Sequence, residues 1–161
     1  MDWRKALRDR WVWGQTILTL LVLLVAPLLP RYVNLGAADF QLNRIDPDWI
    51  RWLGAVLLAA GAGMILWAVR SLGWDNLTPC VEPLQSGRLV VSGAYSHRRH
   101  PMYAGVVLLL TGYTLAWSNW TLALLVWFVT RWYFGAKAGA EERWLVERFP
   151  EYASYSRHVH R

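Results

Sequence analysis

Four stretches of this chain, residues 13–29, 50–69, 102–117 and 120–134, are almost free of polar side chains and long enough to be weighed as membrane-spanning helices. A straight helix needs roughly 20 apolar residues to cross a bilayer, with about 17 as the lower limit. The last two stretches are short and are separated by Ser118-Asn119, so they predict a tight helical hairpin. Burial in a soluble bundle is the competing reading, but little polar sequence remains to clothe four such helices. The expected fold is an all-α integral membrane protein, a single domain over residues 1–161.

Charge placement orients the spans. Arg4, Lys5, Arg8 and Arg10 precede the first one against Asp2 and Asp9, and the loop from Arg70 to His100 carries Arg70, Arg88, Arg98 and Arg99 against Asp75 and Glu82. The loop between the first two spans holds Arg31 and Arg44 against Asp39, Asp46 and Asp48, and the tail is rich in arginine. By the positive-inside rule both termini and the second loop face the cytoplasm, in a multi-pass protein expected in a bacterial inner membrane. Trp11, Trp13, Trp49, Trp52, Trp67, Trp74, Trp117 and Trp120 fall near span ends, where interfacial belts form.

Composition adds a few exclusions. The net charge of +6 lies beside the spans and not on an aromatic-interleaved soluble face, so anionic headgroups are the expected partners and nucleic acid is not. Cys80 stands alone, which excludes a disulfide framework or a cysteine-rich metal site. The first span lacks a small-x-small cleavage site before Pro27 and Pro30 and reads as a retained anchor. Two sequons, at Asn76 and Asn119, lie on the cytoplasmic side and in the hairpin turn, where neither is expected to be glycosylated.

Candidate chemistry gathers at residues 93–103, Gly-Ala-Tyr-Ser-His-Arg-Arg-His-Pro-Met-Tyr, at the edge of the apolar hairpin. Charged groups beside lipid are costly and mark sites. Upstream, Thr78 to Pro83 is broken by prolines and expected to be extended, Ser86-Gly87 marks a turn, and 88–93 reads as a short extended piece. Pro101 suits the first turn of the third span, where its missing N–H costs nothing. That helix start, with Arg99 and His100 before it, could hold the carboxylate of a small molecule. Beyond the fourth span the helix should continue, placing Lys137 and Glu141 on one face, either as an ordinary i,i+4 ion pair or as part of the same cytoplasmic site.

Gly93-Ala94-Tyr95 with Arg99-His100-Pro101-Met102-Tyr103 resembles the cofactor motif of isoprenylcysteine carboxyl methyltransferases and related phospholipid methyltransferases. Glu141-Glu142 with Phe149-Pro150-Glu151-Tyr152 and Tyr155 is similar to that family's second motif, at the expected separation. The resemblance covers residues 87–159 and implies an integral-membrane methyltransferase that uses S-adenosylmethionine without a Rossmann domain. It implies donor contacts from Leu89 and Val90 through the backbone, and from Tyr95, His100, Pro101, Tyr103 and Glu141. It also implies that Lys137, where the family often has arginine, faces a lipophilic or lipid-modified acceptor. Ala94 replaces a common proline and Ser96-His97-Arg98 departs from the usual run.

Methyl transfer from a sulfonium is an in-line displacement that needs no metal and no protein nucleophile, only positioning. A carboxylate acceptor needs a cationic clamp, for which Arg99 or Lys137 would serve. An amine acceptor, as in phospholipid N-methylation, must lose a proton, which makes Glu142 or His100 a candidate base. Two other classes stay open: a non-catalytic protein binding anionic lipid or a partner, and a reductase sharing the Arg-His-Pro-x-Tyr segment.

Overall fold

Every apolar stretch whose residues are described folds as a helix. In the computed structural model these are residues 6–28, 48–82, 84, 86–117 and 120–160. The helices are α1 (Arg10–Leu28), α2 (Asp48–Leu72), α3 (Pro101–Trp117), α4 (Trp120–Arg148) and α5 (Tyr152–His158), with single 3₁₀ turns at Trp74–Asn76 and Gly93–Ser96. No strand occurs among the described residues. Helix α2 extends beyond the expected span at both ends, and α4 continues without interruption from its apolar half into the charged segment carrying Lys137 and Glu141. Pro101 is the first residue of α3, as its lack of an N–H suggests. The expected turn at Ser118-Asn119, the loop ahead of α2 and Arg4 and Lys5 lie outside the described residues.

Helices α2 and α3 pack antiparallel through paired glycines spaced seven apart. Gly54 faces Gly112 and Gly61 faces Gly105. A Cβ at Gly61 would lie 2.5 Å from the Leu109 nitrogen and 2.7 Å from the Gly105 oxygen, and one at Gly112 would lie 2.5 Å from the Leu58 nitrogen. Backbone cannot yield as a flexible side chain can, so small residues are what let the helices meet. Gly54 and Gly61 of α2 therefore serve contact within the subunit. Gly61→Ala is expected to lower stability by about 1–3 kcal/mol, and Gly61→Leu to prevent folding, as read by thermal unfolding in detergent.

Helix α1 lies against α3 and α4. Its carbonyls accept hydrogen bonds from Tyr113 (to Leu23, 3.1 Å) and Tyr133 (to Trp11, 2.6 Å). Gly14 gives Tyr133 room, since a Cβ there would sit 2.6 Å from the phenol oxygen. Asp9 caps α1 through the Trp11 N–H (2.8 Å) and accepts a second bond from the Val81 N–H (3.1 Å), tying the helix start to the loop after α2. That loop bends at Pro79 to Glu82 where an extended run was expected. The bend brings the Pro79 carbonyl to Lys137.

The outer faces are apolar. Leu20, Leu21 and Leu24 on α1, Trp52, Val56 and Leu66 on α2, and Leu124, Leu125 and Phe128 on α4 are all exposed. Two helices, α1 and Trp49–Leu72 of α2, are long and apolar enough to cross a membrane, yet only 11% and 17% of their spans are buried inside the protein. A soluble core helix would show the reverse, and exposed apolar faces of this kind suit a lipid surrounding.

Candidate active site

Three pieces of chain build a cleft at the polar end of the helices: the α2–α3 loop, the start of α3, and the charged end of α4 with α5. Asn76 holds the first wall. Its side-chain amide donates to the Arg88 carbonyl (2.7 Å) and its carbonyl accepts from the Arg88 N–H (2.9 Å), imitating a strand pair and fixing Leu89 and Val90 along the cleft. The turn at Ser86-Gly87 closes through Gly87 N–H to Leu84 O (2.8 Å).

The end of α2 positions the second wall. Ser71 Oγ donates to Trp67 O (2.8 Å) and accepts from the Ala94 N–H (3.0 Å), docking the 3₁₀ turn that carries Tyr95. Gly93 permits this docking twice over: its φ is +63, and a Cβ would lie 2.4 Å from Ser71 Oγ. The turn is clasped from the tail, where the Tyr155 hydroxyl donates to Tyr95 O and Arg99 N–H to His160 O (2.9 Å).

At the cleft floor His100 is bracketed by carboxylates. Its Nε2–H donates to Glu142 (3.0 Å), its Nδ1 lies 3.5 Å from Glu141, and its ring stacks parallel on Tyr103 with centroids 5.4 Å apart. The Tyr103 hydroxyl donates to Glu141 (2.8 Å), and Arg99 pairs with Glu142 at 3.2 Å. Burial by itself would push the His100 pKa down; bonds to Glu141 and then Glu142 outweigh it, so the pKa stands above the ordinary 6.5. The two carboxylates thus favour the protonated ring relative to a free imidazole. Burial pushes the Tyr95 and Tyr152 phenols up, with Glu141 and Glu142 respectively adding to it, so both stay protonated.

A raised histidine pKa gives stability that is complete below 6.5 and lost as pH rises through the folded-state value. Unfolding temperature should therefore fall as the medium goes from pH 6 toward alkaline. His100→Asn should flatten that dependence, measured by thermal unfolding across pH.

Leu89, Val90, Tyr95, Arg99, His100, Tyr103 and Glu141 all line this cleft, with Leu145, Phe149, Tyr152 and Tyr155. Pro101 is buried at the helix start and does not line it. Glu142 stands behind His100, engaged with Arg99 and His100, and is not on the wall. Lys137 departs furthest from expectation. No ion pair with Glu141 forms; the Lys137 ammonium, 1% exposed, donates to Gln15 Oε1 and to Pro79 O (2.9 Å) and lies 5.4 Å from the Tyr103 ring centroid. One helical turn separates the two residues, but Tyr103 comes between, taking Glu141 at its hydroxyl and Lys137 over its face. Burial pushes the Lys137 pKa below its ordinary value, against the pull of Glu141 and Asp9.

Lys137 instead lines a second, apolar cavity of about 490 Å³ between α1, the loop at 77–79, α3 and α4. Thr78, Met102 and Tyr103 belong to both cavities, so they form the partition between them. Asn76, Ser71 and Gln15 were not identified as site residues from sequence, and an isolated polar side chain in a loop or at a helix end gives no signal there. Only the fold brings them to the backbone and to the lysine they hold.

The model of the phospholipid methyltransferase family matches residues 49–152, more than half of the chain. The chain belongs to that family. No curated protein and no solved structure matches it. The matched region of this phospholipid methyltransferase family member contains α2 from its second residue, α3, α4 and all of the cleft residues named above except Tyr155. It is a family of methyltransferases, and the apolar helices agree with a membrane setting.

Proposed function

We propose that the chain is an integral-membrane methyltransferase that draws its methyl group from S-adenosylmethionine and passes it to a lipophilic acceptor. The observation that carries this reading is the shared partition: Tyr103 separates a cleft lined by Arg88, Arg99, His100 and Glu141 from an apolar cavity between the helices. Residues 1–161 act as one domain in this reading. Four helices cross the bilayer, with both termini and the cleft on the cytoplasmic side of a bacterial inner membrane. The positive charge of the second loop and the tail supports that orientation. Helix α3, at 17 residues, spans only about 25 Å, near the thickness of a hydrocarbon core.

The cleft suits the donor. Arg99 Nε and the Tyr152 hydroxyl are buried in its wall without a hydrogen-bond partner, although the guanidinium lies close enough to temper the phenol's pKa. The Arg99 guanidinium, which lines the cleft, is the cation there that would meet a bound carboxylate. Glu141 would accept from amino or hydroxyl groups, Leu89 and Val90 would offer backbone, and Tyr95, His100 and Tyr103 would complete the pocket, with Pro101 setting the helix start. S-adenosylmethionine, when bound, supplies an electrophilic methyl on a sulfonium. The tyrosine faces suit such a cation.

On the other side Lys137 is the acceptor's clamp. Its partners are an amide and a carbonyl, so its charge lacks an adjoining carboxylate among the described residues. A buried ammonium of this kind favours an anionic acceptor group, as in isoprenylcysteine carboxyl methylation, over an amine. Glu142 holds His100 and Arg99 in place and does not itself meet the substrate. N-methylation of a phospholipid amine is the second reading, favoured by the family.

Methyl-labelled donor offered to the full chain in bilayers with a prenylated cysteine or with phosphatidylethanolamine tests this. Label should enter the organic phase and be released by mild base, as a methyl ester is. Base-stable label on the phospholipid would favour the amine reading, and label in neither would overturn both.

A further inference from the structure

A third cavity, about 260 Å³, opens on the opposite side of Tyr103, between α2, α3 and α4. Its interior is apolar, walled by Met64, Leu108 and Trp127, and its rim carries two guanidinium groups, Arg98 and Arg131. Arg131 is the one charge in residues 104–134, and a charge there is retained against the cost of lipid proximity. Both side chains are exposed, and neither has an acidic partner among the described residues. Gly135 makes room for Arg131: a Cβ there would lie 3.2 Å from Arg131 Nη1, so the guanidinium runs along α4 toward the polar end, where Arg98 stands. Trp127 and Arg131 are shared with a shallower neighbouring pocket, where Phe128 and Trp132 present exposed aromatic faces.

We propose that this groove binds the phosphate of an anionic phospholipid, in a site separate from the acceptor cavity. Two guanidinium groups above an apolar slot match one phosphate above acyl chains in both charge and polarity, and planar guanidinium forks suit phosphate oxygens. His100 and Tyr103 form the inner wall, so the bound lipid would brace the back of the cleft. The proposal rests on the bilayer placement above and not on methyl transfer.

Native mass spectrometry of the full chain in detergent, with phosphatidylglycerol and phosphatidylcholine of identical chains, reads the site directly. One phosphatidylglycerol should be retained at least ten times better than phosphatidylcholine. Arg98→Gln with Arg131→Gln should abolish that preference. Gly135→Leu, which keeps both charges and fills the groove, should do the same and covers the case in which the double variant does not fold. Arg143→Gln with Arg157→Gln, two exposed arginines off the groove, should leave it intact. The proposal falls if the preference survives a folded groove variant, or disappears equally in the control, which would mean diffuse charge attraction. Displacement of the lipid by inorganic phosphate at millimolar concentration would also overturn it, by showing a site for the free ion. Unfolding temperature and S-adenosylhomocysteine affinity, measured in parallel, separate its failure from that of the methyltransferase reading.

Discussion

Replacing Glu141 by alanine is expected to weaken S-adenosylhomocysteine binding about 100-fold while leaving the helices folded. Glu141 accepts from Tyr103 at 2.8 Å, sits 3.5 Å from His100, and presents its remaining lone pairs to the cleft. Hydrogen bonds to charged groups contribute about 1.5–3 kcal/mol each, so losing one contact to the ligand and releasing Tyr103 together reach that range. The carboxylate is partly exposed, which keeps the folding cost small. Glu141→Gln keeps an acceptor for Tyr103 but removes the charge, and should fall between, at roughly 10-fold. Titration calorimetry on detergent-purified protein measures both. Unchanged affinity in folded Glu141→Ala would remove Glu141 from the donor site.

Lys137→Met should reduce methyl transfer at least ~100-fold while S-adenosylhomocysteine affinity changes by less than about threefold, the signature of a residue on the acceptor side. Its ammonium lines the apolar cavity and not the cleft, and Tyr103 stands between it and Glu141. Methionine fills the same volume, but Gln15 Oε1 and the Pro79 carbonyl lose their donor, for a stability cost of about 1–3 kcal/mol. Single-turnover transfer, compared with binding on the same samples, separates the two effects. If donor affinity and transfer fell in parallel, Lys137 would belong to the framework of the whole site and not to the acceptor cavity.

The helices were legible because hydrophobic runs carry their own signal, and Pro101 marked the start of α3. Most of the cleft was legible too, since Tyr95, His100, Tyr103 and Glu141 fall within two recognisable motifs. Three things were not. The i,i+4 spacing of Lys137 and Glu141 suggested an ion pair, but a tyrosine from another helix divides them, and helical spacing says nothing of what is inserted from outside. Glu142 was a candidate base for an amine acceptor, and its contacts with Arg99 and His100, two residues from another segment, had no signal in the sequence. The prolines between Thr78 and Pro83 suggested a straight run, while the contacts of Asp9 with Val81 and of Lys137 with Pro79 draw that loop across the helix ends. Long-range contacts of single polar side chains decide each case, and those have no periodicity to read.

Equilibrium binding of S-adenosylhomocysteine to the full chain in lipid nanodiscs near pH 7 tests the central claim most directly. A single saturable site is expected, displaced by S-adenosylmethionine and lost in Glu141→Ala. Absence of binding by wild-type protein that unfolds cooperatively on heating would contradict the assignment of the cleft to the methyl donor.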